Sequence, residues 1–190
     1  HLAARAPQAR FRLEEMSSEE VATRVRSGEL LAGLAFNDAM TVDLAFVPIM
    51  RAPIHAGLHR GHKLAGAASV TLGELQEDAY ILLDFPGARA YYAGLFEQHG
   101  LKPALRYVVN SRELAAELVA AGLGYSLFNM PPSPRMRASE TMARVPLDTR
   151  YWCPSFGLFY ARQYRAMPMI RELVGAIRQL RREIAARPGQ

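Results

Sequence analysis

Three short apolar segments in the middle of the chain, separated by two helical patterns, constrain the fold more than any other feature. The apolar segments are AYILL at 79–83, ALRYVV at 104–109 and YSLF at 125–128. Each has the length of a buried strand rather than of a buried helix. Between them we predict a helix from Ala88 to His99 that ends at Gly100, and a second helix capped by Ser111 that runs to Ala121. Strands that alternate with helices are typical of α/β folds with parallel sheets and right-handed crossovers.

The flanking regions extend this alternation. Four further strands are predicted: ARFRLEEM at 9–16, LLAGLAF at 30–36, VDLAFVPIM at 42–50 and SFGLFYA at 155–161. The continuous apolar run at 30–36 indicates a strand that is buried on both faces. Ser17 and Glu20 have capping-box spacing at the start of a helix that Gly28 ends, and a long amphipathic helix closes the chain. Residues 51–69 are interpreted as a crossing strand followed by loop, and residues 131–149 give no strong signal.

Composition excludes several classes of protein. The chain has 190 residues, half of them apolar and 22% charged, which suffices for a compact core. It contains no apolar run of about 18 residues that could cross a membrane. The lone Cys153 excludes an internal disulfide and suits a cytoplasmic protein. The net charge is +5, but the basic residues are scattered, so direct DNA binding by this segment is not expected.

Motifs for catalysis, metals and nucleotides are not convincing. His55, His59 and His62 are closely spaced, but they lie in a segment without helical pattern and lack a clear further ligand for tetrahedral zinc. Gly122 and Gly124 follow a helix and precede a strand, the reverse of a dinucleotide-binding turn. No nucleophile elbow, phosphate loop or zinc-protease motif is present in the sequence. We therefore predict no catalytic residue, no metal and no cofactor.

Polar side chains recur directly after the predicted strands. These positions are Asn37, Asp84 with Phe85, Asn110 with Ser111, and Asn129 with Met130. Ligands of open α/β sheets bind outside the carboxyl ends of the strands. A turn or a helix cap also explains each position taken alone. Their joint recurrence favours a ligand site.

Four segments, in this order, resemble the effector-binding domain of LysR-type bacterial transcriptional regulators. They are SSEEVATRVRSGELLAGLAF at 17–36, GHKLA at 61–65, SVTLGELQE at 69–77 and NSRELAAELVAAGLGYSL at 110–127. The last is similar to the family's most characteristic stretch, a Ser or Thr at a helix start followed by L-V-A-A-G-x-G. Two positions depart from the pattern, since Leu31 replaces an aspartate and Lys63 a proline.

The resemblance implies a two-lobed, periplasmic-binding-protein-like (type 2) α/β fold with two crossover segments. Lobe I would comprise residues 1–53 and 151–190, and lobe II residues 54–150. Relative to the family, lobe I begins without its first strand. Because that strand would lie inside the sheet, we expect about ten or more residues before His1 in the intact protein.

The resemblance also implies a small-molecule effector, bound in the cleft between the lobes. Helix starts near Arg89 and Ser111 suit an anionic group, with Arg89 as a direct partner. Phe85, Tyr107 and Met130 would supply apolar walls. The predicted site residues are Asn37, Asp84, Phe85, Arg89, Tyr107, Ser111, Asn129 and Met130.

Binding would shift the population of two arrangements without any chemical step. The family implies a homodimer, or a tetramer of the intact protein, that contacts DNA only through an N-terminal helix-turn-helix domain absent from this chain. Two other classes stay open. A solute-binding protein of a transport system shares the fold, and an enzyme such as a deaminase would need two carboxylates that meet only in three dimensions.

Overall fold

The computed structural model describes residues 5–85, 87–130 and 141–186. Contacts divide the chain into two compact units. Unit 1 combines the residues up to Arg51 with those from Pro154 onward, and unit 2 consists of Ala52–Cys153.

Within the described residues the chain forms four α-helices and eight strands. The helices are α1 (Ser18–Ser27), α2 (Ala88–Gln98), α3 (Arg112–Ala120) and α4 (Pro168–Ala185). The strands are β1 (Ala32–Phe36), β2 (Leu44–Arg51), β3 (His55–His59), β4 (Ala79–Leu83), β5 (Ala104–Val109), β6 (Ser126–Phe128), β7 (Met142–Pro146) and β8 (Ser155–Ala161). Short 3₁₀ turns follow β1 at Asn37–Ala39 and β8 at Arg162–Tyr164.

Unit 1 is built on a three-stranded sheet in the order β1-β8-β2, with β8 antiparallel to both neighbours. Helix α1 packs Val21 and Val25 into one cluster of buried residues, and α4 packs Ile170 and Ile177 into another. Gly157 is required in the central strand, because a Cβ atom there would lie 2.4 Å from the Val47 carbonyl oxygen. The antiparallel pairing fits a chain that leaves unit 1 after β2 and returns through β8.

The first helix begins and ends as its sequence predicts. The Ser17 hydroxyl accepts a hydrogen bond from the backbone N–H of Glu20 at 3.1 Å, and Gly28 ends the helix with φ of 81°. Glycine adopts this left-handed conformation without steric cost. The predicted cap and stop of α1 are therefore confirmed.

Unit 2 contains a mixed sheet in the order β5-β4-β6-β3-β7. Strands β4 and β5 are parallel, whereas β3 is antiparallel to β6 and β7. A short parallel junction joins β4 to β6, in which the Ile81 N–H donates to the Tyr125 carbonyl at 2.8 Å and the Tyr125 N–H to the Ala79 carbonyl at 2.9 Å. Strands β4, β5 and β6 therefore end at the same edge of the sheet.

Two helices cover the two faces of this sheet. Side chains of successive strand residues point to opposite faces. Tyr80 belongs to one buried cluster, together with residues of α2 such as Leu95, and Ile81 belongs to another, with residues of α3 such as Val119. The two βα units thus place the starts of α2 and α3 beside the shared edge of strand ends.

Helix α2 is held against residues 149–152 at three points. The Tyr91 hydroxyl donates to the Trp152 carbonyl at 2.9 Å, and His99 Nε2 lies 3.0 Å from Thr149 Oγ1. Between them, Gly94 leaves room for the Tyr151 hydroxyl, which a Cβ atom at position 94 would approach to 2.5 Å. The two hydrogen bonds fix the helix in its first turn and at its end, and Gly94 allows the Tyr151 side chain to approach the middle closely.

Several predictions of local structure are wrong. The sheets are mixed or antiparallel rather than parallel, since β3 and β8 run against their neighbours. Residues 9–16 form no strand, because no described strand pairs with them, and Leu13 is 89% exposed. Strand β1 is not buried on both faces: it is an outer strand of the described sheet, and Leu34 is 49% exposed. Strand β7 lies in a region without predicted structure.

Candidate functional site

The carboxyl ends of β4, β5 and β6 bring together most of the predicted site residues. The Asp84 N–H donates to the Val109 carbonyl at 2.7 Å, so the ends of β4 and β5 are in direct contact. Ser111 follows β5, and Asn129 and Met130 follow β6. Tyr107 lies within β5, as its place in the predicted strand 104–109 requires. Seven of the eight predicted residues thus belong to unit 2, and Asn37 belongs to unit 1.

Asp84 and Arg89 form a bidentate ion pair. Arg89 Nε and Nη2 donate to the two carboxylate oxygens of Asp84 at 2.8 and 2.6 Å. These hydrogen bonds, and then the charge of Arg89, lower the pKa of Asp84, and the same contacts raise the pKa of Arg89. The charge of Arg89 is therefore matched by a neighbour five residues away.

Phe85 and Tyr107 are half-buried and pack against the cluster that contains Ile81 and Val109. Each ring therefore contributes to the core of unit 2 and keeps part of its surface exposed. Such partly exposed aromatic surface is suitable for a pocket wall.

The Ser111 side chain serves as the N-cap of α3. Its hydroxyl accepts a hydrogen bond from the Leu114 N–H at 3.2 Å and donates to Glu113 Oε2 at 3.2 Å. The predicted cap is confirmed. The hydroxyl itself is occupied by local contacts, while the helix start follows the end of β5, which contacts the end of β4.

Residues 129 and 130 position two side chains that sequence reasoning missed. The buried Tyr92 hydroxyl is hydrogen-bonded by the backbone N–H of Asn129, and Arg144 Nη2 donates to the Met130 carbonyl at 3.0 Å. In the sequence, Tyr92 resembles an ordinary core residue of an amphipathic helix. Arg144 lies in the segment 131–149, for which no helix or strand is predicted. The sequence therefore offered no way to place either side chain here.

Tyr92 is 2% exposed, and its burial raises its pKa, which keeps the phenol neutral at physiological pH. The charges of Arg112 and Arg144 and the Asn129 hydrogen bond act in the opposite direction. Arg112, in the first turn of α3, was also missed by sequence reasoning.

In unit 1, Asn37 joins the end of β1 to the start of β8. Its Oδ1 accepts a hydrogen bond from the Ser155 N–H at 2.7 Å. Nearby, the Ser18 hydroxyl accepts from the Phe36 N–H at 3.1 Å. The polar side chains at this strand end thus have defined structural partners within unit 1.

A cavity of about 480 Å³ lies between α2 and the strands β4 and β5. Its lining is mainly apolar, and Arg89 is the one predicted site residue among its lining residues. Tyr92 also borders it. We base the candidate site on the strand ends, because several polar groups converge there, whereas the cavity offers few polar contacts for orienting a ligand.

The clustered histidines have local partners. His62 Nδ1 accepts from the Leu64 N–H at 3.1 Å while its Nε2 lies 3.2 Å from Asp78 Oδ2, and His59 Nδ1 accepts from the Gly61 N–H at 3.0 Å. Across residues 5–85, 87–130 and 141–186, no group of three or more potential ligands could hold a metal ion. Within the same ranges, none of the helices combines the length and apolarity needed to span a membrane.

Solved structures define the class of fold. The chain is similar to the BenM effector-binding domain, with a TM-score of 0.81 and 22% identity over 99% of this chain and 86% of that one. It is similar to the C-terminal domain of a probable LysR family regulator from Rhodococcus sp. RHA1, with a TM-score of 0.82 and 20% identity over 93% and 88%. The predicted two-lobed, periplasmic-binding-protein-like α/β fold is confirmed.

Residues 1–182 match the family described as the LysR substrate binding domain, and the chain belongs to this family. It is 26% identical to the HTH-type transcriptional regulator CysL of Bacillus subtilis over 114 residues, which cover 60% of this chain and 38% of that protein. It is 28% identical to the uncharacterized HTH-type regulator YybE of the same organism, over 64% of this chain and 42% of that protein. The matched region thus spans less than half of these relatives, and the resemblance found in the sequence is confirmed.

Proposed function

We propose that this chain senses a small-molecule effector on behalf of a LysR-type transcriptional regulator, and that occupancy of the site alters DNA binding by a separate helix-turn-helix domain. The match to the LysR substrate binding domain over residues 1–182 carries this proposal. The HTH-type names of the two relatives support the link to transcription. Solute transport, the alternative function on the same fold, is disfavoured by the same comparisons.

The site is suited to binding rather than catalysis. Among the described residues at the strand ends, hydroxyl and carboxylate groups are held by caps and ion pairs, and no acid and base face each other in the manner of a catalytic pair. We propose a cytoplasmic domain without cofactor or enzymatic activity. Its effect would be a population shift, whose size is limited by the difference in effector affinity between the two states.

The effector is proposed to be a small anionic molecule. Structural neighbours include the BenM domain with benzoate and the QuiR domain with shikimate, and both of these ligands are carboxylates. In this chain, the starts of α2 and α3 lie beside the ends of the parallel strands, and helix starts favour negative charge.

The domain is also proposed to form a homodimer, or a tetramer in the intact protein. Strand β5 is an outer strand of its described sheet, and Leu105 and Val108 are 53% and 52% exposed. An exposed apolar edge strand is usually covered by another element or chain. A second copy of the domain would remove this apolar surface from water.

Calorimetric titration of the protein with benzoate and with shikimate tests the effector proposal. We expect at least one of them to bind with 1:1 stoichiometry and to raise the melting temperature. Asn129→Leu should weaken binding, because its amide lies at the end of β6, whereas Gln76→Leu, which alters an exposed amide elsewhere in unit 2, should not. Absence of binding by both compounds, or equal loss in both variants, would contradict the proposed site.

A further inference from the structure

The apolar cavity between α2 and the strands β4 and β5 has no role in the function proposed above. Its walls belong to unit 2 alone and include Leu82 of β4, Phe96 of α2 and Leu101 of the connection between α2 and β5. Ala93 and Leu105 line it and are both exposed. The cavity is therefore open to solvent between α2 and β5, and a small molecule can enter it from that side.

A small residue on α2 leaves room for this cavity. Residues four apart lie on one face of a helix, so Arg89, Ala93 and Glu97 follow one another along the side of α2 that borders the cavity. Only the methyl group of Ala93 stands in the middle of this row, and the charged side chains at its two ends are exposed. A longer side chain at position 93 would take up part of the space.

Tyr80 contributes a polar group without a partner. Its side chain lines the cavity, and its ring packs against the rings of Phe96 and Tyr125, with centroid distances of 5.2 Å in both cases. Tyr80 is 2% exposed, and its hydroxyl has no hydrogen-bond partner among the described residues. Buried polar groups are normally hydrogen-bonded, because an unmade bond is costly. A molecule in the cavity that carries a hydroxyl or carbonyl group would supply the missing partner.

The volume of the cavity limits the size of such a molecule. At about 480 Å³ it lies within the usual range of ligand pockets, roughly 300–1,000 Å³. An apolar cavity of about 150 Å³ is already large enough to hold benzene. The space between α2 and the two strands therefore admits a pair of fused aromatic rings.

We propose that this cavity is a second ligand site of the domain, and that it takes a neutral molecule of two fused aromatic rings whose polar group bonds to the Tyr80 hydroxyl. A neutral ligand is favoured, because a charge buried among apolar side chains without a partner is costly. Arg89 offers no spare charge, since Asp84 binds it through two hydrogen bonds. The inference does not depend on the effector site proposed at the strand ends.

The test uses neutral aromatic probes on the whole chain. Binding of N-phenyl-1-naphthylamine is followed by its fluorescence, which rises in apolar surroundings, and 2-naphthol or 2-methylnaphthalene is then added to displace it. The two competitors have nearly the same shape and differ in the hydroxyl group. Ala93→Phe places a ring at the cavity. Ala90→Phe is the matched control, because Ala90 is an exposed alanine of the same helix that is not among the lining residues.

We expect wild type to bind one probe molecule per chain and Ala90→Phe to behave as wild type. Ala93→Phe should weaken binding by about tenfold or more, because the added ring takes the place of buried ligand surface. Tyr80→Phe should weaken 2-naphthol by about 2- to 10-fold relative to 2-methylnaphthalene, the usual effect of one neutral hydrogen bond. This variant loses only a hydroxyl without a partner, so it should melt no lower than wild type.

Several results would overturn the inference. If wild type does not bind the probe, or if Ala93→Phe binds it as tightly as wild type, the cavity is not a ligand site. An equal effect of Tyr80→Phe on both competitors would exclude the hydroxyl from recognition. A changed sedimentation coefficient of Ala93→Phe with unchanged probe affinity would identify a second copy of the chain as the occupant. Joint loss of the probe and of benzoate or shikimate in Ala93→Phe would indicate one site instead of two.

Discussion

Removing the hydroxyl of Ser126 should destabilise unit 2 measurably, because this side chain lies at the narrow junction between β4 and β6. Ser126 is fully buried, and its Oγ donates to the Ile81 carbonyl at 2.8 Å. Two backbone hydrogen bonds, which involve Ile81, Tyr125 and Ala79, complete the junction. Ser126→Ala removes the side-chain contribution and leaves the backbone pairing intact.

The expected cost follows from burial. A typical intramolecular hydrogen bond contributes about 0.5–1.5 kcal/mol, and a buried polar group left without its partner costs about 1–3 kcal/mol. We therefore expect Ser126→Ala to lower the free energy of unfolding by about 1–3 kcal/mol. For a chain of this size, each kcal/mol corresponds to a fall of about 2–4 °C in melting temperature.

A matched control separates burial from the loss of the bond itself. The Ser27 hydroxyl donates to the Arg24 carbonyl at 3.0 Å in an exposed position. Water can replace that bond, and alanine favours the helix, so Ser27→Ala should be neutral or slightly stabilising. Urea unfolding followed by circular dichroism, with unchanged slopes, gives both values. Equal midpoints for Ser126→Ala and wild type would refute the importance of the buried bond.

Two further predictions concern charge and assembly. The Glu74 carboxylate accepts bonds from the Thr71 N–H and hydroxyl, both at 2.8 Å, which lower its pKa. Glu74→Gln should therefore destabilise the protein at neutral pH. The difference in free energy of unfolding between the variant and wild type should disappear as the pH falls below 4.5 and through the lowered pKa of Glu74. Urea midpoints that differ by the same amount at every pH would contradict this. Replacing both Leu105 and Val108 by serine should shift the sedimentation coefficient from dimer to monomer, whereas Val42→Ser, at an 85% exposed position of unit 1, should not; unchanged dimerisation of the double variant would exclude the β5 surface.

The strands that the sequence predicted correctly are those with a local signal strong enough to define them. The predicted bounds of β4, β5 and β8 agree with the structure, because each is a compact run of apolar residues between turn formers. The predictions that were wrong concern the pairing of strands in the sheets. Residues 9–16 alternate in polarity, but a strand also needs a neighbour, and none of the described strands provides one. Likewise, the apolar composition of β8 gives no indication that it returns antiparallel between β1 and β2.

The same distinction applies to the candidate site: residues whose position depends on local sequence could be predicted, and contacts between distant residues could not. Strand ends and helix caps are determined by neighbouring residues in the chain, so Asp84, Ser111 and Asn129 could be identified from the turn-forming and helix-capping residue types in the sequence. The pairing of Arg89 with Asp84 depends on side-chain geometry across a turn. The placement of Arg144 at the Met130 carbonyl depends on how β7 joins the sheet, which no local pattern encodes.

Gly94 has a consequence for how this region can vary among related chains. Glycine in the middle of a helix costs about 0.5–1 kcal/mol relative to alanine, so α2 retains it at a loss in helical stability. The Tyr151 hydroxyl occupies the space that a Cβ atom at position 94 would need. A relative that carries alanine at this position should therefore carry a shorter side chain, such as phenylalanine, in place of Tyr151. The two positions should change together, because either substitution alone leaves a steric clash or an unfilled space.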